Sequence, residues 1–92
     1  MPFRVELKMP ALSNGAIVEQ WLVPTNEYVG RDRPILSLKM GDRSHVLVCN
    51  MPVVVLDRAV TPGSSITTGG LVAVVEAEGD EIPYGRPHAR IE

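Results

Sequence analysis

The chain has 92 residues, a formal net charge of −2, and 45% hydrophobic residues. This length suits one domain and is too short for two independent cores. Its nine Lys and Arg form no cluster, which excludes the basic surface expected of a nucleic-acid-binding protein. Eight Gly and eight Pro argue against a helical bundle.

The sequence also lacks the usual signals for membrane insertion and export. No run of about 18 apolar residues is present, and the first residues, Met1-Pro2-Phe3-Arg4, do not open a signal peptide. Cys49 is the single cysteine, so no intramolecular disulfide can form, which fits a reducing compartment. We therefore expect a cytoplasmic monomer with no nucleic-acid or membrane partner.

Short β-rich runs separated by turn residues recur along the chain, which predicts an all-β fold. In chain order the predicted strands cover residues 4–8, 16–23, 35–40, 44–49, 53–60 and 71–76. Asn14-Gly15 predicts a tight turn, and Pro24 ends the second strand because proline cannot donate to a ladder. Residues 1–78 are expected to form one domain. Residues 79–92 lose all periodicity, which predicts a flexible tail or linker.

The chain contains an internal repeat. Residues 17–38 align without a gap on residues 54–75, so that Ile17 falls on Val54 and Leu38 on Val75, each 37 residues later. Such a repeat predicts two similar halves. The hairpin Met40-Gly41-Asp42-Arg43 joins them and is expected at one end of the molecule.

Several short motifs come in the order and spacing of a lipoyl domain, the domain that carries the swinging arm of 2-oxo-acid dehydrogenase acyltransferases. The matching segments are 9–13 (MPALS), 15–18 (GAIV), 21–23 (WLV), 34–38 (PILSL), 54–56 (VVL) and 60–63 (VTPG). The resemblance covers about residues 4–78. It implies a flattened β-barrel, or barrel-sandwich hybrid, of two antiparallel sheets with quasi-twofold symmetry, a fold that biotinyl domains share.

The resemblance fails at the hairpin tip. Lipoyl and biotinyl domains place a lysine there, and its amine forms an amide with lipoate or biotin. Counting without a gap puts this position on Asp42, and one extra hairpin residue puts it on Arg43. Aspartate has no amine, and the Arg guanidinium stays protonated. No cofactor is therefore expected at the tip.

Lys39 is the remaining candidate for lipoate or biotin attachment. Its setting, Leu38-Lys39-Met40, is similar to the Met-Lys-Met of biotinyl domains. The alternation of strand faces predicts that Lys39 points to solvent just below the tip.

Val46 and Val48 occupy positions where lipoyl domains often carry carboxylates that partner enzymes recognise. Together with Lys39, Asp42 and Arg43 they are predicted to form a partner-docking surface that is apolar along this strand. The alternative is that two exposed valines are ordinary strand formers.

The remaining chemistry-bearing residues give no catalytic or metal site. His45 and Cys49 share one strand face, but two ligands fall short of a zinc site, so no metal is expected. Cys49 is predicted to be a small buried hydrophobe, and Trp21 to be partly buried in the core. No arrangement of catalytic residues is recognisable, which argues against an enzyme.

We therefore predict a non-catalytic, lipoyl-domain-like interaction module for a partner enzyme or multienzyme complex. The alternative is an active swinging-arm carrier, modified at Lys39, in acyl or carboxyl transfer. A third hypothesis, chemical alteration at Cys49 or in the tail by a biosynthetic enzyme, has no positive motif.

Overall fold

The computed structural model describes residues 2–12, 14–78 and 86–92, which form nine β-strands and no helix. The strands are β1 (Phe3–Lys8), β2 (Ala16–Trp21), β3 (Tyr28–Val29), β4 (Leu36–Met40), β5 (Arg43–Cys49), β6 (Val53–Arg58), β7 (Ser65–Ile66), β8 (Leu71–Ala77) and β9 (Ala89–Ile91). The six long strands coincide with the six predicted from sequence to within two residues at each end. The two-residue strands β3 and β7 and the C-terminal strand β9 were not predicted.

The strands form two antiparallel sheets that pack as a flattened barrel. The first sheet has the order β1-β8-β6-β3, and the second has the order β7-β2-β4-β5-β9. A quasi-twofold relation exchanges β1 with β5, β8 with β4, β6 with β2, and β3 with β7. The predicted all-β barrel-sandwich with an internal repeat is therefore confirmed, with β9 as the element that has no counterpart among the described strands.

The two copies of the repeat carry the same irregularity at the same place. The register of β2 on β4 shifts between Val18 and Gln20, and that of β6 on β8 shifts between Val55 and Asp57, each 37 residues later. A bulge bends its strand and increases the local twist, which curls a sheet toward a barrel. The sequence repeat is thus a repeat of backbone geometry.

Backbone hydrogen bonds lock the two halves together. The Asn26 N–H donates to the Val55 carbonyl at 2.8 Å, and the equivalent Gly63 N–H donates to the Val18 carbonyl at 2.7 Å. Both donors adopt the left-handed conformation, with φ of 63° at Asn26 and 91° at Gly63. Each turn therefore closes on a bulged strand of the other half.

An aliphatic core fills the space between the sheets. Its most buried members are 1% exposed or less: Leu7, Val18, Ile35, Leu36, Leu38, Leu47, Cys49, Val53, Val55, Val72, Ala73 and Val75. Among the described residues, no polar or charged side chain is buried. The ring of Trp21 is half-buried against this core and donates its indole N–H to the Val60 carbonyl at 3.0 Å, as predicted.

The prediction of a flexible tail over 79–92 is wrong for the last residues of the chain. Residues 79–85 lie outside the described part. Ala89–Ile91 forms β9, which pairs antiparallel with β5, with Ile91 opposite Leu47 and Ala89 opposite Cys49. A three-residue strand has no stability of its own. It forms here because the outer edge of β5 offers unpaired N–H and C=O groups.

Candidate functional site

The hairpin between β4 and β5 closes with a two-residue loop, Gly41-Asp42. Met40 lies opposite Arg43 in the ladder, and Lys39 lies opposite Ser44. Gly41 has a φ of 67°, whereas Asp42 is not among the residues with positive φ. Glycine at the first of the two loop positions is typical of a type II′ turn, whose twist matches the flanking strands. A Cβ at Gly41 would meet no atom within 4 Å, so conformation alone requires the glycine.

This register places the two tip candidates differently. Asp42 is the second residue of the loop and Arg43 is the first residue of β5, and both side chains are exposed. The apex of the hairpin therefore presents a carboxylate followed by a guanidinium. Neither group is a primary amine that could form an amide with a carboxylic acid cofactor.

Lys39 lies three residues before Asp42 and four before Arg43 in the sequence. It is in β4, between Ile17 of β2 and Ser44 of β5. Its side chain is exposed, while its neighbour Leu38 is fully buried, which is the alternation expected of a strand with one solvent face. Ile17 is 48% exposed, so the lysine stands beside an apolar surface residue.

A shallow groove lies on this solvent face, next to the tip. Residues of the hairpin, of β2 and of the β7 region line it: Asn14, Gly15, Ala16, Ile17, Lys39, Gly41, Ser65, Ile66 and Thr67. The groove brings Lys39 together with elements of both copies of the repeat. On the same sheet, the Ser37 hydroxyl donates to Glu19 Oε1 at 2.9 Å.

The predicted docking surface along β5 is wrong at Val48. Val48 is fully buried, and Val46 is half-buried opposite Ser37. The alternation of faces is as predicted, but β9 runs beside β5 and places Arg90 directly opposite Val48. The side chain that was expected to meet a partner is therefore covered within the chain.

Arg90 forms an ion-pair network at this edge. Its Nη1 lies 2.8 Å from Asp32 Oδ1, and its Nε donates to Glu92 Oε2 at 3.0 Å. Hydrogen bonds to Glu92 and then to Asp32 raise the pKa of Arg90 above its ordinary value. The Asp32 N–H donates to the Cys49 carbonyl at 3.0 Å, so this aspartate links β5 to β9.

Sequence reasoning missed Asp32 and Arg90. One signal could have found Asp32, because the repeat aligns it with Gly69. Both positions have positive φ, 62° at Asp32 and 77° at Gly69, and a non-glycine residue kept in that conformation is uncommon. Arg90 left no such signal, since nothing in residues 79–92 has a period.

Cys49 is buried, as predicted, and is held among apolar neighbours at the core end of β5. It is 1% exposed, and burial raises the pKa of its thiol above the ordinary value, while hydrogen bonds from the backbone of Met51, Asn50 and His88 act in the opposite direction. A thiol is nucleophilic only as the thiolate. Its environment therefore makes Cys49 a poor site for chemical alteration.

The described residues contain neither a candidate metal site nor a membrane-spanning helix. No group of three or more His, Cys, Asp and Glu side chains is arranged to hold a metal ion there. No helix in the same part of the chain is long and apolar enough to cross a membrane.

Comparison with known proteins adds no relative. No protein-family model matches the chain, and searches of the curated proteins and of the solved structures find no match. The geometry of the tip and of its surroundings is therefore the basis for assigning a function.

Proposed function

We propose that the chain is a non-catalytic interaction module, built on a lipoyl-domain-like scaffold, that docks on a partner enzyme through the hairpin end. The observation that carries the proposal is the two-residue apex Gly41-Asp42, which presents a carboxylate where a carrier domain needs an amine. The scaffold that supports a carrier lysine is retained, and the acceptor itself is missing.

The docking surface consists of the exposed residues around the apex, which we call the tip surface: Ile17, Lys39, Asp42, Arg43 and Ser44. It combines one half-exposed aliphatic side chain with two cations and one anion. A small apolar centre with charged surroundings suits a transient contact, in which charges orient the partner. Val46 borders this surface, and Val48 is excluded from it by burial.

The absence of an acceptor is tested by intact mass after co-expression with a lipoate ligase and, separately, with a biotin ligase. We expect the wild-type mass to remain that of the unmodified chain. A stoichiometric adduct would overturn the proposal. Asp42→Lys and Arg43→Lys serve as matched variants, because each restores a primary amine at one of the two candidate positions. A mass gain in either variant alone would support descent from a carrier scaffold.

Docking is tested by a photo-crosslinking amino acid placed at Asp42. The matched control carries the same group at Glu78, the exposed residue that follows β8 and that the repeat aligns with Gly41. In cells of the source organism, we expect one protein to be cross-linked from position 42 and not from position 78. Equal cross-linking from both positions would contradict docking through the tip.

The alternative proposal is an active swinging-arm carrier modified at Lys39, in acyl or carboxyl transfer. The observation in its favour is the exposed primary amine beside the groove. In the deprotonated form this amine would attack an acyl adenylate, forming an amide and releasing AMP. This alternative predicts a mass gain in the wild type that Lys39→Arg abolishes and that Lys8→Arg leaves unchanged.

A further inference from the structure

The outer edge of β5 pairs with β9 through hydrogen bonds that join these two segments directly. Val46 and Glu92 exchange two backbone hydrogen bonds, of 3.0 and 2.9 Å. The Asn50 N–H donates to the His88 carbonyl at 3.1 Å, and the His88 N–H donates to Asn50 Oδ1 at 2.6 Å. These bonds require only that a segment with this sequence lies along β5.

The corresponding edge of the other sheet is formed by β1, and its residues disfavour the addition of another strand. The quasi-twofold relation makes Leu7 equivalent to Leu47 and Phe3 equivalent to Arg43. Leu7 and Phe3 lie opposite Ala73 and Ala77 in their ladder. These two alanines are equivalent to Leu36 and Met40, which lie opposite Leu47 and Arg43. Side chains at alternate positions of β1 are then Arg4, Glu6, Lys8 and Pro10, whereas those of β5 are Ser44, Val46, Val48 and Asn50. Charged side chains and proline are the usual protection of an exposed edge.

Pro10 makes the contrast specific. Its counterpart Asn50 uses its N–H to bind the His88 carbonyl, and proline has no N–H to offer at that position. The β5 edge lacks every one of these protections, and in this structure β9 covers it. An unprotected edge of this kind is where another chain adds a strand.

We propose that a second copy of this chain supplies β9 in trans, so that two copies form a dimer by reciprocal exchange of their C-terminal strands. Such an interface is self-complementary and closes with twofold symmetry. Every backbone bond and the pairing of Arg90 with Asp32 are recreated in the dimer, since the donor strand has the same sequence.

The connection is long enough for the exchange. Residues 78–88 separate the last residue of β8 from the first residue of β9, and an extended chain of this length reaches about 40 Å. The inference depends on the pairing of β5 with β9 and is independent of docking at the tip surface. Its experiment uses no ligase and no partner enzyme, so either proposal can fail alone.

The register provides a direct test, because Ala89 lies opposite the single cysteine of the chain, Cys49. Val46 and Glu92 form a hydrogen-bonded pair, and in an antiparallel ladder the pairs alternate. Cys49 and Ala89 therefore form a non-hydrogen-bonded pair, with Cα atoms about 4.5 Å apart, a separation that a disulfide spans. Ala89→Cys thus reports which chain supplies the strand.

The Ala89→Cys variant is unfolded in reducing denaturant, refolded at micromolar and at near-millimolar concentration, and then oxidised. Under dilute conditions we expect a disulfide within one chain, seen as a monomer on a non-reducing denaturing gel. At high concentration we expect a covalent dimer that reductant separates. Cys49→Ala combined with Ala89→Cys is the matched control and should give no covalent dimer by this route.

The wild-type chain provides a readout that needs no new cysteine. After refolding at high concentration, light scattering should give twice the monomer mass of 10.0 kDa. Arg90→Pro should abolish this dimer because it removes an N–H from β9, whereas Arg90→Ala keeps the backbone ladder and the dimer. A monomer mass at both concentrations would overturn the proposal. So would a dimer in which the disulfide stays within each chain.

Discussion

The two copies of the repeat share the backbone conformation of two turns but use different residues to build them, and one of these residues contacts β9. Asn26 and Asp32 in the first copy adopt positive φ, and their counterparts in the second copy are Gly63 and Gly69. Glycine is the residue that takes this conformation without steric cost. The fold therefore fixes the backbone at these positions, and the first copy keeps a side chain there at some cost.

Asp32 shows why one of these side chains is retained. Its N–H donates to the Cys49 carbonyl at 3.0 Å, just as the Gly69 N–H donates to the Met9 carbonyl at 3.0 Å. The backbone role is thus identical in both copies. The carboxylate of Asp32 has a second role, because it binds Arg90 of β9 at 2.8 Å. At this position the two copies therefore differ in the side chain that meets β9 and not in the backbone hydrogen bond.

The largest predicted effect concerns the core, where truncating equivalent side chains of the two copies should lower the free energy of unfolding by similar amounts. Leu38 and Val75 are equivalent and fully buried. We expect Leu38→Ala to lower the free energy of unfolding by about 3 kcal/mol and Val75→Ala by about 2 kcal/mol. The measurement is urea unfolding followed by circular dichroism and by the fluorescence of Trp21. Both probes should report one shared transition, since one core spans both copies.

Ile17→Ala is the control for these core variants, because Ile17 is 48% exposed and should change stability by less than about 0.5 kcal/mol. Two separated transitions in Val75→Ala, with Trp21 reporting only the later one, would contradict a single cooperative core.

A smaller effect is expected from exchanging residues between the equivalent turns. Gly63→Ala should lower the free energy of unfolding by about 1 kcal/mol. The cost is conformational, because φ is 91° and a Cβ there would meet no atom within 4 Å. Asn26→Gly should change stability by less than about 0.5 kcal/mol, since relief of the left-handed conformation and greater freedom of the unfolded chain oppose each other. Chemical denaturation measures both, and a neutral Gly63→Ala would show that the turn relaxes.

The sequence was sufficient to predict the part of the fold that comes from local pattern. Alternation located the long strands, and the 37-residue offset between Ile17 and Val54 is also the offset between the bulges that the structure shows in β2 and β6. The chemistry of the apex also followed from sequence, since the identities of Asp42 and Arg43 exclude an amine in either alignment. Which of them occupies the loop depended on the register, and Gly41 set it through its positive φ.

What could not be predicted depends on contacts between distant segments. Ala89–Ile91 is too short to have a period, and its strand conformation comes entirely from pairing with β5. Val48 is buried and lies opposite Arg90 of β9, so an inference from strand alternation alone gave the correct face and the wrong exposure. The role of Asp32 as a link to Arg90 was hidden for the same reason.

The smallest effect separates the two roles of Asp32. Asparagine also tolerates positive φ, so Asp32→Asn keeps the turn and removes only the charge that meets Arg90. Both side chains are nearly half exposed, at 42% and 49%, and an exposed ion pair contributes little and is screened by salt. We therefore expect global stability to stay nearly unchanged while the Glu92 N–H, which is bonded to the Val46 carbonyl, exchanges with solvent faster.

Hydrogen exchange measured by NMR distinguishes this local effect from a general one. The β1–β8 ladder should exchange at the wild-type rate in Asp32→Asn, because the equivalent position in that copy, Gly69, has no side chain and no ion pair. Added salt should accelerate exchange at Glu92 in the wild type and have less effect in the variant. Asp57→Asn, at an exposed carboxylate in β6, should leave both ladders unchanged. Equal acceleration of the two ladders in Asp32→Asn would mean that the charge supports the whole barrel, and the asymmetry between the copies would then not be confined to the β5 edge.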